Sequence, residues 1–111
     1  MDEEYMEAVL DTVESIAPGR VLTYGDIATI VGQTLERGGP RQVGTVLKLA
    51  GGGVPWWRVV NAVGLPPAHA ITEALSRLHG EDCPLSPDGS RVNLRLARDL
   101  AQVERALNGA L

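Results

Sequence analysis

Residues that interrupt regular backbone cut this chain into pieces long enough only for short helices. Thirteen glycines and seven prolines fall among 111 residues, and most of them cluster: Pro18-Gly19, Gly38-Gly39-Pro40, Gly51-Gly52-Gly53 and Gly64 to Pro67. Proline lacks the N–H that a helix interior needs, and glycine gives up the most backbone freedom on ordering, so neither continues a regular element readily.

Between these breaks the apolar residues recur at helical spacing. Met6, Val9, Leu10, Val13, Ile16 and Ala17 predict an amphipathic first helix that Pro18-Gly19 ends. Thr23 followed by Asp26 is a capping-box start for a second helix, with Ile27, Ile30 and Val31 inward and Gly32 as its expected end. Pro40 opens a third helix, a position where its missing N–H does no harm. That helix turns Val43, Val46, Leu47 and Ala50 inward. Its opposite side is Arg41, Thr45 and Lys48, with Gly44 beside them offering no side chain. Ile71, Ala74, Leu75 and Leu78 predict a fourth helix closed by Gly80, and Leu96, Leu100, Val103 and Leu107 a terminal one. Asp88-Gly89 is a turn signal before a short strand, a candidate wing.

Two short helices joined through glycine, the second with a basic polar face, are the helix-turn-helix pattern. The expected fold is mainly α, a winged helix-turn-helix-like DNA-binding domain with short β pieces. The reading is one domain over residues 1–111, with a helical extension from about 95. The charge agrees locally. Net charge is −4, yet residues 1–19 hold six acids and no base, while residues 20–60 carry five Arg or Lys against two acids. A basic segment inside an acidic chain leaves local DNA binding open. No apolar run is long enough to span a bilayer, and the acidic start is the wrong charge for a secretory signal, so a cytoplasmic location is expected. Cys83 is the single cysteine, which excludes an internal disulfide and any multi-cysteine metal site. No cofactor is expected.

One stretch does not fit a generic DNA-binding reading. "VPWWRVV", Val54 to Val60, places two adjacent tryptophans after a proline in a chain with no phenylalanine and two tyrosines. Tryptophan is large, and its indole N–H needs a partner when buried. A tandem pair in a turn is either core or a surface built to stack on something flat.

"TYGDIA" (Thr23 to Ala28), "RQVG" (Arg41 to Gly44), "PWWRVV" (Pro55 to Val60), "AITEALSRLHG" (Ala70 to Gly80) and "DGSRVNL" (Asp88 to Leu94) occur in that order. Together they resemble the DNA-binding domain of O6-alkylguanine-DNA alkyltransferases, in register over roughly Met6 to Leu94. In the transferases the position of Trp56 is an alkyl-accepting cysteine, that of Trp57 an activating histidine, and that of His79 a glutamate that orients the histidine. All three are replaced here, and an indole cannot accept the alkyl group as a thiolate does. Tryptophan in the cysteine position resembles the alkyltransferase-like proteins, which recognise O6-alkylguanine in DNA without repairing it. Most of those read Pro-Trp-His-Arg, whereas this chain reads Pro-Trp-Trp-Arg. The loop Pro66-Pro67-Ala68-His69 is also shorter than its Tyr- and Gly-containing counterpart, which implies more room for a bulky adduct.

The resemblance implies a role for each matched residue. Arg41 would fill the space left by a flipped nucleotide, Tyr24 would press the backbone phosphate, and Gly44 and Thr45 would let the helix enter the narrow minor groove. DNA contacts are expected from Tyr24, Arg41, Gln42, Gly44, Thr45 and Lys48. The alkylguanine pocket is expected from Tyr24, Val54, Pro55, Trp56, Trp57 and Arg58. The implied partners are duplex DNA carrying O6-alkylguanine and, through a protein the sequence does not name, nucleotide excision repair. A monomer is expected.

Plainer readings exist for each residue. Tyr24 alone would pass for an amphipathic surface residue, and Trp56 alone for core. Trp57 is either the back wall of the pocket or core filler. Arg58 suits a structural ion pair or loop hydrogen bond, and His69 and His79 read as solvated. Two other functions compete with the damage sensor. A winged-helix regulator would read undamaged sequence, but it calls for long base-reading side chains where this helix has small ones. A transferase using Cys83 would need a base beside a thiol that lies past the fourth helix.

Overall fold

The structure, a computed structural model, describes residues 2–109. Asp2 caps the first helix, α1 (Glu3–Glu14), its carboxylate accepting the N–H groups of Glu4 and Tyr5. Tyr5, Val9 and Val13 face inward from it, and Ile16 follows them into the core. After the turn at Pro18-Gly19 comes a two-residue strand, β1 (Leu22–Thr23), and then α2 (Tyr24–Leu35).

The Thr23 hydroxyl accepts the Asp26 N–H and the Asp26 carboxylate accepts the Thr23 N–H, both at 3.0 Å, so the capping box is complete. α2 does not stop at Gly32. It runs one turn further to Leu35 and ends on Glu36, which takes the left-handed conformation (φ 53°) while its N–H bonds back to the Gly32 carbonyl. The third helix, α3 (Pro40–Ala50), begins at the expected proline. Val43 and Val46 lock it onto α1 and α2, buried alongside Val9, Val13, Ile27 and Val31. Burying each such side chain contributes roughly 1.5–3 kcal/mol, enough to hold short helices that would melt in isolation.

The chain then makes two single 3₁₀ turns, Gly51–Gly53 and Trp56–Arg58, and enters β2 (Val59–Val60). β2 pairs parallel with β1, Leu22 opposite Val59 and Thr23 opposite Val60. This two-stranded seam fixes the tryptophan turn against the start of α2. α4 (Ile71–Gly80) packs on that turn, and Val21, Val60, Leu78, Cys83, Val92 and Ala97 form a second small core beneath it. Gly64 is required where the loop meets this core. Its φ is +89°, and a Cβ there would lie 2.4 Å from the Val92 carbonyl oxygen.

The wing is smaller than a strand pair. Residues 85 and 92 make one antiparallel bridge around the Asp88-Gly89 turn. The Ser86 and Ser90 hydroxyls donate to the Asp88 carboxylate and hold its pKa at about 2. The terminal helix expected from Leu96 to Leu107 is broken. A single turn, α5 (Leu94–Ala97), is followed by extended Arg98 and then α6 (Leu100–Gly109). The break lets the chain pair with Val21, whose N–H donates to the Ala97 carbonyl and whose carbonyl accepts the Asp99 N–H, both at 3.0 Å. Of the apolar stripe, Val103 is buried while Leu96, Leu100 and Leu107 are exposed. Among the described residues no helix is long and apolar enough to cross a membrane.

Candidate nucleic-acid interface

α3 presents Arg41, Gln42, Thr45 and Lys48 to solvent, and Arg41 and Lys48 make no ion pair among the described residues. The other cations of the basic segment are occupied. Arg37 pairs with Asp2 and with Glu4, and Arg20 donates to the carbonyls of Leu96 and Arg98. The free positive charge of residues 20–60 is therefore concentrated on α3. Two of these side chains also serve the helix itself: the Gln42 carboxamide accepts the Gly39 N–H (2.9 Å), and the Thr45 hydroxyl donates to the Arg41 carbonyl (3.1 Å).

Beside this face opens a cleft of about 380 Å³. Tyr24 from the first turn of α2, Gly44, Leu47 and Lys48 from α3, and Gly51, Gly52 and Trp56 from the turns form one side, and Pro67, His69, Ala70 and Glu73 the other. A Cβ on Gly44 would touch the Tyr24 ring at 3.9 Å, so larger side chains there would project into the cleft. Tyr24 is half-buried, and desolvation raises its hydroxyl pKa, so it stays a neutral donor at physiological pH. The cleft thus joins Tyr24 of α2, Gly44 and Lys48 of α3, and Trp56 of the second 3₁₀ turn. Arg41 and Thr45 lie on the exposed face of α3, outside its lining.

The remaining expected pocket residues lie behind Trp56. Val54, Pro55, Trp57 and Arg58 line a second, shallower depression of about 400 Å³ with Glu14, Gly52, Gly53 and Arg77, and Trp56 borders both. Trp57 meets Trp56 edge to face, with ring centroids 5.9 Å apart and planes at 87°. Its own indole N–H donates to Glu81 Oε2 at 3.0 Å, and the Arg77 guanidinium lies 4.4 Å from its ring centroid. Arg58 makes the ion pair its surroundings suggest. Nη2 donates to Glu81 Oε2 (2.7 Å), Nε to Oε1 (3.1 Å), and Nη1 to the Ile16 carbonyl (2.8 Å).

Glu81 and Arg77 carried no signal in the sequence. Burial would raise the Glu81 carboxyl, but Arg58, the Gly19 N–H and Trp57 outweigh it and hold its pKa below the ordinary value. Cys83 is buried in the second core, and burial pushes its thiol up to about 11, far from a reactive thiolate. No group of three or more metal-ligating side chains forms among the described residues.

Helix-turn-helix, a basic α3 face and an adjoining aromatic cleft define a DNA-binding module with a recess beside its basic face. The DNA-binding domain of 6-O-methylguanine DNA methyltransferase matches residues 4–82, and the chain belongs to that family. Within it the chain is of the alkyltransferase-like type. The chain is similar to Schizosaccharomyces pombe Atl1 solved with damaged DNA containing O6-carboxymethylguanine, at 30% identity and a TM-score of 0.71 over 88% of this chain and 96% of that one. An S. pombe ATL–DNA complex aligns with a TM-score of 0.69, 31% identity and the same coverage. The DNA base-flipping protein of Escherichia coli K12 is 40% identical over 65 residues, 57% of this chain and 48% of that protein, and that of Shigella flexneri matches equally. The chain thus spans about half the length of the curated relatives it matches.

Proposed function

We propose that this chain is a non-enzymatic sensor of O6-alkylguanine in duplex DNA. It enters the minor groove with α3, flips the modified nucleotide into the Tyr24–Trp56 cleft, and leaves the lesion in place for nucleotide excision repair. The observation that carries this reading is Trp56 lining a cleft of about 380 Å³ beside the free cations of α3. By resemblance to the transferases, Trp56 stands where their acceptor cysteine would be.

Taking a base out of the stack costs a few kcal/mol, least where the base is modified and poorly paired. The Arg41 guanidinium fills the vacated space, where a planar cation can stack and hydrogen-bond at once. Trp56 offers the flipped base and its O6 substituent an aromatic wall, and base–aromatic stacking is worth about 1–3 kcal/mol. Tyr24, a neutral hydroxyl donor at the α2 N-terminus, turns the nucleotide by its phosphate. Lys48 neutralises backbone charge. No step breaks the O6–alkyl bond: the one thiol is buried in the second core and protonated, and an indole is not a nucleophile of that kind. Small residues at positions 44 and 45 disfavour a regulator that reads base edges with long side chains. The protein acts as a monomer in this scheme.

The test is fluorescence anisotropy with matched duplexes carrying guanine or O6-methylguanine at one position, at two salt concentrations. Tighter binding to the modified duplex, with the methyl group still present afterwards, is the expected result. Equal binding to both duplexes, or loss of the methyl group, overturns it.

A further inference from the structure

We infer that Glu81 is the positioning residue of the cleft, fixing Trp56 through Trp57 and so setting the size of the O6 substituent the cleft selects; this rests on the function proposed above. One carboxylate, placed just after α4, receives four N–H donors: from the Trp57 indole (3.0 Å), from Arg58 twice (2.7 and 3.1 Å), and from the Gly19 backbone (3.1 Å). Arg77 and Arg58 also lie over the Trp57 ring, their guanidinium groups 4.4 and 5.4 Å from its centroid. Trp57 cannot rotate without leaving its hydrogen bond. Its perpendicular contact with Trp56, at 5.9 Å, transmits that restraint to the one side chain that, beside Gly52, lines both depressions. Held so, Trp56 gives a small O6 substituent a close wall. Released, it opens the cleft towards the depression behind it, which favours a large substituent over a small one.

The experiment uses the whole chain labelled with 5-fluorotryptophan, whose two fluorine resonances are assigned with Trp57→Phe. Glu81→Ala is expected to shift or broaden the Trp56 resonance in the free protein, and Glu81→Gln, which keeps an acceptor for the indole, to restore it. In duplex binding, Glu81→Ala is expected to weaken affinity for O6-methylguanine about tenfold and leave O6-benzylguanine within about twofold, since a wall that moves penalises only the ligand too small to reach it. Should Glu81→Ala not fold, Trp57→Phe, which leaves the Arg58 pair intact, is expected to give the same split between adducts. An unmoved Trp56 resonance, or equal weakening for both adducts, overturns the inference. If native protein does not distinguish modified from unmodified DNA, the proposed function falls, while the fluorine spectra still decide the role of Glu81.

Discussion

Arg98 grips both carboxylate oxygens of Asp26, with Nε 2.8 Å from Oδ2 and Nη2 2.5 Å from Oδ1, across 72 positions of sequence. Asp26 is already the capping-box residue of α2, so one buried carboxylate both starts the helix that carries Tyr24 and anchors the terminal segment. Replacing it with alanine removes a helix cap, worth ~1 kcal/mol, and strands the charge-assisted bonds to Arg98. Asp26→Ala should lower unfolding stability by about 2–3 kcal/mol in urea titrations. Arg98→Ala should lose less, about 1 kcal/mol, because that side chain is 36% exposed and water screens the pair. A double-mutant cycle with no coupling between the two would refute the link.

Asp26 and Glu81 also shape the behaviour in acid. Burial would raise both carboxyls, but Arg98 and Thr23 for Asp26, and Arg58 with the Gly19 and Trp57 N–H groups for Glu81, bring both below their ordinary values of 3.8 and 4.5. A carboxyl whose folded pKa is depressed contributes its full stability above the unfolded value and loses it as pH falls through the folded one. Stability should therefore be flat from neutrality to about pH 5 and decline below about pH 4. The paired variants Asp26→Asn and Glu81→Gln, less stable at neutral pH, should flatten that decline in urea midpoints measured from pH 6 to pH 2.5. An unchanged slope would mean other carboxyls govern the acid limb.

Gly64→Ala should destabilise by at least the roughly 1–3 kcal/mol expected of a non-glycine residue held at positive φ. The 2.4 Å approach to the Val92 carbonyl adds a clash that backbone must relieve. Thermal unfolding checks this, and a melting temperature within error of the native value would show that the loop adapts freely.

Lys48→Ala should lower DNA affinity for modified and unmodified duplexes alike. It should reduce the slope of log K against log salt by about 0.9, the loss of one neutralised phosphate. Arg41→Ala should instead weaken binding to the modified duplex preferentially, since its proposed place is the vacated stack. Anisotropy titrations at four salt concentrations separate the two. Identical losses from both substitutions would count against a flipped base.

The first three helices were legible because their apolar spacing and breakers agree with where the core lies. The end of α2 was not. Gly32 looks like a stop, yet the helix continues to a glutamate in the left-handed conformation, which no residue type announces. Leu96 to Leu107 has helical spacing throughout, but tertiary pairing of residues 97–99 with Val21 and Asp26 overrides it and leaves three of those leucines in water. In the site, Tyr24, Gly44 and Trp56 could be picked out by motif and Lys48 by its place on the basic face of the third helix, and they share one cleft. Glu81 could not, because its importance lies in four donors gathered from two distant segments, Gly19 and Trp57-Arg58. Trp57, ambiguous between wall and filler, donates its indole N–H to that carboxylate and meets Trp56 edge to face.

The only thiol of the chain is sealed in the second core, away from the cleft. A protein that accepts an alkyl group on its own cysteine is spent by each lesion, so its capacity is counted in molecules. In the proposed role this chain leaves every encounter chemically unchanged. Its capacity is then set by how long it stays bound and how many copies are free at a given moment, and the same molecule can mark one site after another.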